Sequence, residues 1–357
     1  MLIRFDKSSI LKGLRISLGL SILSVALIFV FTKPGETLTA LKQIRPLYLL
    51  VALGVACVDW LGGGLRLYVL TQRITKEISY GSCLRASLAN AFMGAVTPSQ
   101  TGGGPAQIYV LYKEGLPIVA SMSLSFITFL GTVIFLVISM GTITLFGLNS
   151  SITSDTIRVL FRYGVSAFLG IGVLVIFFVS KPDLLSKSLK HVFNFMSLFR
   201  KKHFLRPEGK AHDIIEKVDS AHRIFIYYLR YRWSAIIAVV LVTGLVFAAK
   251  FFVAYLIVRG LGVSAGIWEV FSIQILIILA VYFCPTPGSS GAAELGSAIL
   301  MSSIVPVELL TVYVVLWRVI VTYIAVLLGS YVVLRYMGKE TVTLESEIKP
   351  LEKKIAV

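Results

Sequence analysis

The sequence predicts an all-α polytopic membrane protein, with about six full spans and two re-entrant helical hairpins arranged as an inverted repeat. Three observations predict it. Of 357 residues, 57% are hydrophobic and 15% charged, with a mean hydropathy of +0.87, which leaves too little polar surface to wrap a water-soluble core of this size. A phrase occurs twice between apolar segments, as Thr97-Pro98-Ser99-Gln100-Thr101-Gly102 and as Thr286-Pro287-Gly288-Ser289-Ser290-Gly291; nineteen residues beyond Pro98 and Pro287 stand Pro117 and Pro306, so both proline pairs lie 189 apart. The basic residues, finally, are gathered into a few polar segments.

Apolar stretches of the roughly 20 residues needed to cross a bilayer run over 14–32, 46–70 and 117–147 in a first repeat, 1–147, and over 158–180, 234–258 and 308–334 in a second, 158–334. The first stretch follows Arg4, Lys7, Lys12 and Arg15 and precedes Lys33-Pro34-Gly35-Glu36 without a small-x-small site, so it is expected to be an uncleaved span. Two further apolar regions, 80–112 and 267–304, hold the phrases. Between Gly104 and Lys113 only eight residues remain, roughly 12 Å of helix, too short to cross the hydrocarbon. Each of these regions is therefore expected to enter and leave on one side, with its Gly/Pro tip inside the membrane.

Loop charge sets the sides. Segment 181–232 carries twelve Lys/Arg against five Asp/Glu and is expected to be cytoplasmic, whereas 148–157 holds only Asp155. The termini, including the tail 335–357, then fall on the cytoplasmic side. This arrangement puts 26 Lys/Arg inside and six outside, with Lys250 and Arg318 within membrane segments. The net charge of +16 is thus explained by cytoplasmic loops rather than by nucleic acid.

Within 181–232, Leu185, Leu189, Val192, Phe193 and Met196 form one helical face, and Ala211, Ile214, Ile215, Val218 and Phe225 another. These predict helices on an anionic leaflet, or a small helical pair packed on the protein. His191, His203, His212 and His222 all fall here without metal-ligand spacing; Cys57, Cys83 and Cys284 lack CxxC spacing. No metal and no cofactor is expected, and no GxxxxGK[ST] nucleotide loop is present. Tyr48, Tyr227, Tyr228 and Tyr231 are expected to form an interfacial aromatic belt.

Broken backbone at membrane depth is tolerated where it faces protein or a polar cavity. Glycines at 102, 103, 104, 288 and 291 either let backbone approach a ligand or let the hairpins cross tightly. Asn90, Gln100 and Gln107 are hydrogen-bonding candidates near the first tip. Ionisable groups in lipid are functional candidates by default: Asp59 and Arg66, seven apart on one helix face, Lys250, and Glu294 and Arg318. The last two are able to form a structural ion pair or a headgroup site. Glu294 stands close to the second phrase, so the charge of the site is expected to lean toward the C-terminal half.

The run FMGAVTPSQTGGGPAQIYVLYKEG from Phe92 to Gly115, with Pro285-Thr286-Pro287-Gly288-x-x-Gly291-x-x-Glu294 and Trp317-Arg318, resembles the flippase-like membrane domain family related to the lysylphosphatidylglycerol synthase transmembrane region. The resemblance covers most of the chain. It implies a lipid-translocating protein with two re-entrant segments in a bacterial or archaeal plasma membrane, and carries over Pro98, Gly102, Gly103, Pro105 and Gln107, then Pro287, Gly288, Gly291, Glu294 and Arg318. Ser289 joins them as a neighbour within the second phrase. Many relatives place an acidic or amide residue where this chain has Gly104. No soluble aminoacyl-transferase domain follows the membrane part, so lysyl transfer by this chain is not expected. The expected function is a flippase for an anionic phospholipid or polyprenyl-linked lipid, its partners being membrane lipids with anionic headgroups. The alternatives are a membrane-embedded lipid-headgroup transferase or hydrolase, and a non-transporting partner of a glycosyltransferase docking through 181–232.

Overall fold

The computed structural model describes residues 7–32, 44–145, 163, 166, 170, 173, 220 and 223–337. These are helical throughout, apart from short connections. In order they form α1 (Lys7–Phe31), α2 (Pro46–Thr71), α3 (Tyr80–Val96), α4 (Gly103–Lys113), α5 (Ile118–Leu145), a short helix at 223–231, then α6 (Trp233–Gly260), α7 (Ile267–Phe283), α8 (Ala292–Met301), α9 (Val307–Arg318), a π-helical turn (Val319–Tyr323) and α10 (Ile324–Met337). Among the described residues five helices, with α9, the π turn and α10 counted as one, are long and apolar enough to cross a membrane. Of the predicted span 158–180 only 163, 166, 170 and 173 are described, helical and exposed; the rest of it lies outside the described residues. So do most of the loop 181–232, with all four histidines and most of its two apolar faces, and 338–357 of the tail.

The helix ends follow local chemistry. Pro46 opens α2, where its missing N–H costs nothing, and the Ser79 hydroxyl caps α3 by accepting from Ser82 N at 3.1 Å. The two phrases terminate α3 and α7 with the same backbone. Ser99 and Gln100 have φ of 49° and 56°; Gly288 and Ser289, each 189 residues on, have 60° and 54°. Gln100 N donates to Thr97 O and Thr101 N to Pro98 O, as Ser289 N does to Thr286 O and Ser290 N to Pro287 O. Both threonines then satisfy broken backbone. Thr97 Oγ1 donates to Met93 O and accepts from Gly102 N, while Thr286 Oγ1 donates to Ser290 O. At their centre Pro98 and Pro287 pair antiparallel across the two loops, a contact to which neither contributes an N–H.

Corresponding elements keep the same spacing. Pro46 and Trp233 open α2 and α6, Tyr80 and Ile267 open α3 and α7, each pair 187 apart; Gly103 and Ala292, then Ile118 and Val307, are each 189 apart. One difference breaks the correspondence: α5 runs unbroken, whereas its counterpart carries the π turn immediately after Arg318.

Small residues set the close crossings, as expected where lipid supplies no hydrophobic drive between helices. A Cβ on Gly62 would strike Val246 of α6, one on Gly63 would strike Ser87, and one on Gly64 would lie 2.9 Å from Leu84 Cα of α3. Gly329 of α10 is held equally tightly against Leu88 O. Apolar side chains pack into three clusters. One gathers α3, α4 and the start of α5 with the end of α2, the start of α6, the end of α10 and helix 223–231; one gathers α7, α8 and α9 with parts of α1, α2 and α6; the smallest joins α5, α6 and α7. Helix 223–231 corrects the aromatic-belt expectation at one position. Tyr228 is fully buried and donates to Leu70 O at 2.6 Å, because its ring fills a gap beside α2. Phe225 is also buried, edge-on to Phe126, so this part of the loop packs on protein.

Candidate functional site

A cavity of about 980 Å³ lies where the two loops, the middles of α2 and α6 and the C-terminal end of α9 converge, at the upper end of small-ligand pockets of roughly 300–1,000 Å³. It is lined by both phrases, through Ser99, Gln100 and Thr101 of the first and Gly288 of the second. Of the candidates read from the sequence, Asn90, Gln100, Pro105, Gln107, Gly288 and Arg318 line it, as do Asp59, Arg66 and Lys250. Pro98, Gly102, Gly103, Pro287, Ser289, Gly291 and Glu294 do not; they build the walls behind it.

The glycines divide by role. A Cβ at Gly102 would come within 2.6 Å of Thr97, at Gly103 within 2.7 Å of Asn90 Oδ1, and at Gly288, where φ is +60°, within 2.6 Å of Ala95 O. These three serve close packing of protein on protein. Gly104 has nothing within 4 Å and lines the cavity, so it leaves room there.

Behind the second loop, Glu294 is held by three donors. Fully buried on the first turn of α8, it accepts from Gly291 N at 2.7 Å, from Ser21 Oγ of α1 at 2.5 Å and from Arg318 Nε at 2.7 Å. Its reach back to Gly291 is half of a capping box. Gly291 itself sits at φ +90°, a conformation that favours glycine. Ser17 Oγ meets Ser290 Oγ at 2.8 Å, and Ser289 Oγ donates to Val281 O. Arg318 adds a contact to Ser290 Oγ at 3.4 Å and lies over the Tyr323 ring. Only 6% of the Arg318 side chain is exposed. This pair ties α1, the second loop and α9 together.

At the first loop the polar groups are amides and hydroxyls. Asn90 Nδ2 donates to Gln107 Oε1 at 2.9 Å, and Gln107 Nε2 to Ser125 Oγ at 2.9 Å, a relay from α3 through α4 to α5. Another part of the lining is charged. Lys250 Nζ of α6 is 3.3 Å from Asp59 Oδ2 of α2, with 31% and 17% of the two side chains exposed. Arg66, two turns along α2 from Asp59, makes one hydrogen bond, Nη1 to Thr132 Oγ1 at 3.2 Å; its Nε is buried without a partner among the described residues. The charged lining comes from both halves, with Lys250 and Arg318 from the second. Glu294 is withdrawn behind the wall, and α2 of the first half supplies both Asp59 and Arg66.

Sequence reasoning passed over several participants. Ser17, Ser21 and Ser24 repeat at helical spacing in an otherwise apolar helix, a stripe that marks the face of α1 turned to Glu294. Trp60 lines the cavity, and its indole N–H has no acceptor among the described residues. Away from the cavity, Glu114 receives Arg85 Nε at 3.0 Å and Nη2 at 2.8 Å, Ser82 Oγ at 2.6 Å and the Tyr336 hydroxyl, joining α3, the end of α4 and α10. Among the described residues no group of three His, Cys, Asp or Glu is placed to hold a metal.

Comparison with known proteins adds two findings. A family model described as "Lysylphosphatidylglycerol synthase TM region" matches residues 15–329. A relative described as "UPF0104 membrane protein", from Archaeoglobus fulgidus, is 27% identical over 325 residues, covering 88% of this chain and 94% of that protein.

Proposed function

This integral membrane protein belongs to the lysylphosphatidylglycerol synthase TM region family, and from that premise we propose that it is a flippase moving a lipid with an anionic headgroup between leaflets. The headgroup enters the cavity between the two loops while the acyl or prenyl tails remain in lipid. The observation that carries this reading is the cavity itself. It is large, centred on two broken helices, and faced by Arg66, Lys250 and Arg318 in a chain that carries few charges at membrane depth.

The loops act as tips of two re-entrant hairpins in an inverted repeat. Support comes from the constant 187–189 spacing of the elements, from identical left-handed turns at matching positions, and from the meeting of Pro98 with Pro287. A pseudo-two-fold axis brings equivalent residues of two copies together, and an axis in the membrane plane relates inverted halves. With both termini cytoplasmic, as the loop charges favour, alternation is a rocking of one half against the other about the tips.

The test is reconstitution of the full chain into phosphatidylcholine vesicles containing NBD-labelled phosphatidylglycerol, with dithionite added outside. The expected result is loss of the protected inner-leaflet fluorescence in vesicles that hold the protein. Persistent protection equal to that of empty vesicles overturns the proposal. A chemically altered headgroup recovered from the vesicles would instead place the chain among headgroup transferases or hydrolases.

A further inference from the structure

Among the described residues, five charged groups stand at or directly behind the cavity wall: Asp59, Arg66, Lys250, Glu294 and Arg318. Two of the three cations are matched. Arg318 and Glu294 form a closed pair, and Glu294 has no acceptor capacity turned toward the cavity. Lys250 faces Asp59 across 3.3 Å in a single, partly exposed contact. Arg66 has no carboxylate within 4 Å among the described residues and spends one of its five N–H donors, on the neutral Thr132 hydroxyl. Among the described residues Asp59 is thus the one anion facing two cations, and the wall formed there by α2 and α6 carries a surplus positive charge.

We infer that this wall, Arg66 with Lys250 and Asp59, is a binding site for a phosphate monoanion, supplied by the phosphodiester of the lipid headgroup. The inference rests on the translocation reading above and names the part of the cavity that holds the charge. A guanidinium is a planar fork that matches two phosphate oxygens at once, and it is stronger for this where water is scarce. An unpaired guanidinium at membrane depth is costly unless a partner anion arrives. One added negative charge neutralises the wall. Lys250 supplies a second, point-like contact once the phosphate competes with Asp59 for it. Trp60, on the same helix, leaves its indole N–H unmatched, so the wall is short of acceptors and not of donors. The surplus also disfavours a headgroup that brings its own amine. Arg318 is excluded from the role because Glu294 already fills its charge.

The experiment measures binding separately from transport, using the purified full chain in dodecyl maltoside and isothermal titration with three probes: dihexanoyl phosphatidylglycerol, dihexanoyl phosphatidylcholine and inorganic phosphate. Phosphatidylglycerol is expected to bind more tightly than phosphatidylcholine. Arg66→Gln should weaken it at least about tenfold, or 1.4 kcal/mol. Asp59→Asn, which removes the competing anion, should tighten it severalfold, an effect that a purely structural aspartate would not give. Arg66→Lys keeps the charge without the fork and serves where the Gln variant does not fold; an intermediate loss is expected. Undiminished binding by both Arg66 variants, or weaker binding by Asp59→Asn, overturns the site. Inorganic phosphate binding as tightly as phosphatidylglycerol overturns the lipid as the source of the anion. Vesicles that translocate phosphatidylglycerol with Arg66 dispensable for binding reject the site alone; normal binding without translocation in any vesicle rejects the flippase reading alone.

Discussion

Replacing Glu294 by Gln keeps the side-chain volume and one acceptor oxygen but removes the charge that Arg318 faces. The carboxylate is fully buried and accepts three hydrogen bonds of 2.5–2.7 Å, and only 6% of its partner is exposed. With so little of the guanidinium exposed, the loss should be about 3–5 kcal/mol, the cost of breaking a buried pair from one side, and not the 0–1 kcal/mol of a surface pair. In thermal unfolding of the detergent-solubilised full chain, followed by size-exclusion recovery, this corresponds to a fall of roughly 4–7 °C. Arg318→Gln should cost a similar amount. The double variant with Glu294→Leu and Arg318→Met strands no charge and should be more stable than either single one. Additive losses in the double variant, or a Glu294→Gln loss below about 1 kcal/mol, would refute the account of this pair as the lock on the second loop.

Three further outcomes are expected. Gly329→Ala gains about 1 kcal/mol of helix propensity but drives a Cβ into Leu88 O, a clash of about 1–3 kcal/mol, so the same unfolding assay should show destabilisation; Gly104→Ala meets nothing and should not destabilise. Gln100→Gly relieves a left-handed residue at φ 56° and should raise stability by about 0.5–1 kcal/mol, whereas the same change at Gln107 should lower it by breaking the relay between α3 and α5. Cysteines at Pro98 and Pro287, introduced with Cys284→Ala, should form a disulfide on mild oxidation, seen as a mobility shift after proteolysis between the halves. Directly paired antiparallel residues have Cα atoms about 4.5–5.5 Å apart, within disulfide range.

Much of the helical layout was legible because its signals are local. Pro46 marks the start of α2, and the phrase prolines stand just beyond Val96 and Phe283, where α3 and α7 stop. The echo of Thr97 in Thr286 was visible too, but its meaning was not. That each hydroxyl satisfies backbone groups of its own break needs the loop conformation, and the left-handed turn at Ser99 and Gln100 carries no glycine to announce it. The π turn after Arg318 lacks both Gly and Pro, so composition offered no warning. The charged residues were found as types, and Glu294 with Arg318 as a candidate pair, but their other partners were not legible. Glu294 stood out beside its phrase, yet Ser21, 273 residues away, helps to consume it. Arg66 read as a charge sharing a helix face with Asp59; its place beside Thr132 depends on how α2 meets α5. Glu114 sits near a helix end, where a carboxylate is unremarked, and only the fold brings Arg85 and Tyr336 to it.

The central claim is that an anionic headgroup crosses between the two loops, and the disulfide at positions 98 and 287 allows a direct test in one sample. Proteoliposomes carrying the double-cysteine protein and NBD-labelled phosphatidylglycerol are assayed with dithionite after oxidation, and matched vesicles after reduction with an impermeant phosphine. The account predicts that joining the tips stops translocation and that reduction restores it. Equal translocation by the cross-linked and reduced protein would contradict it.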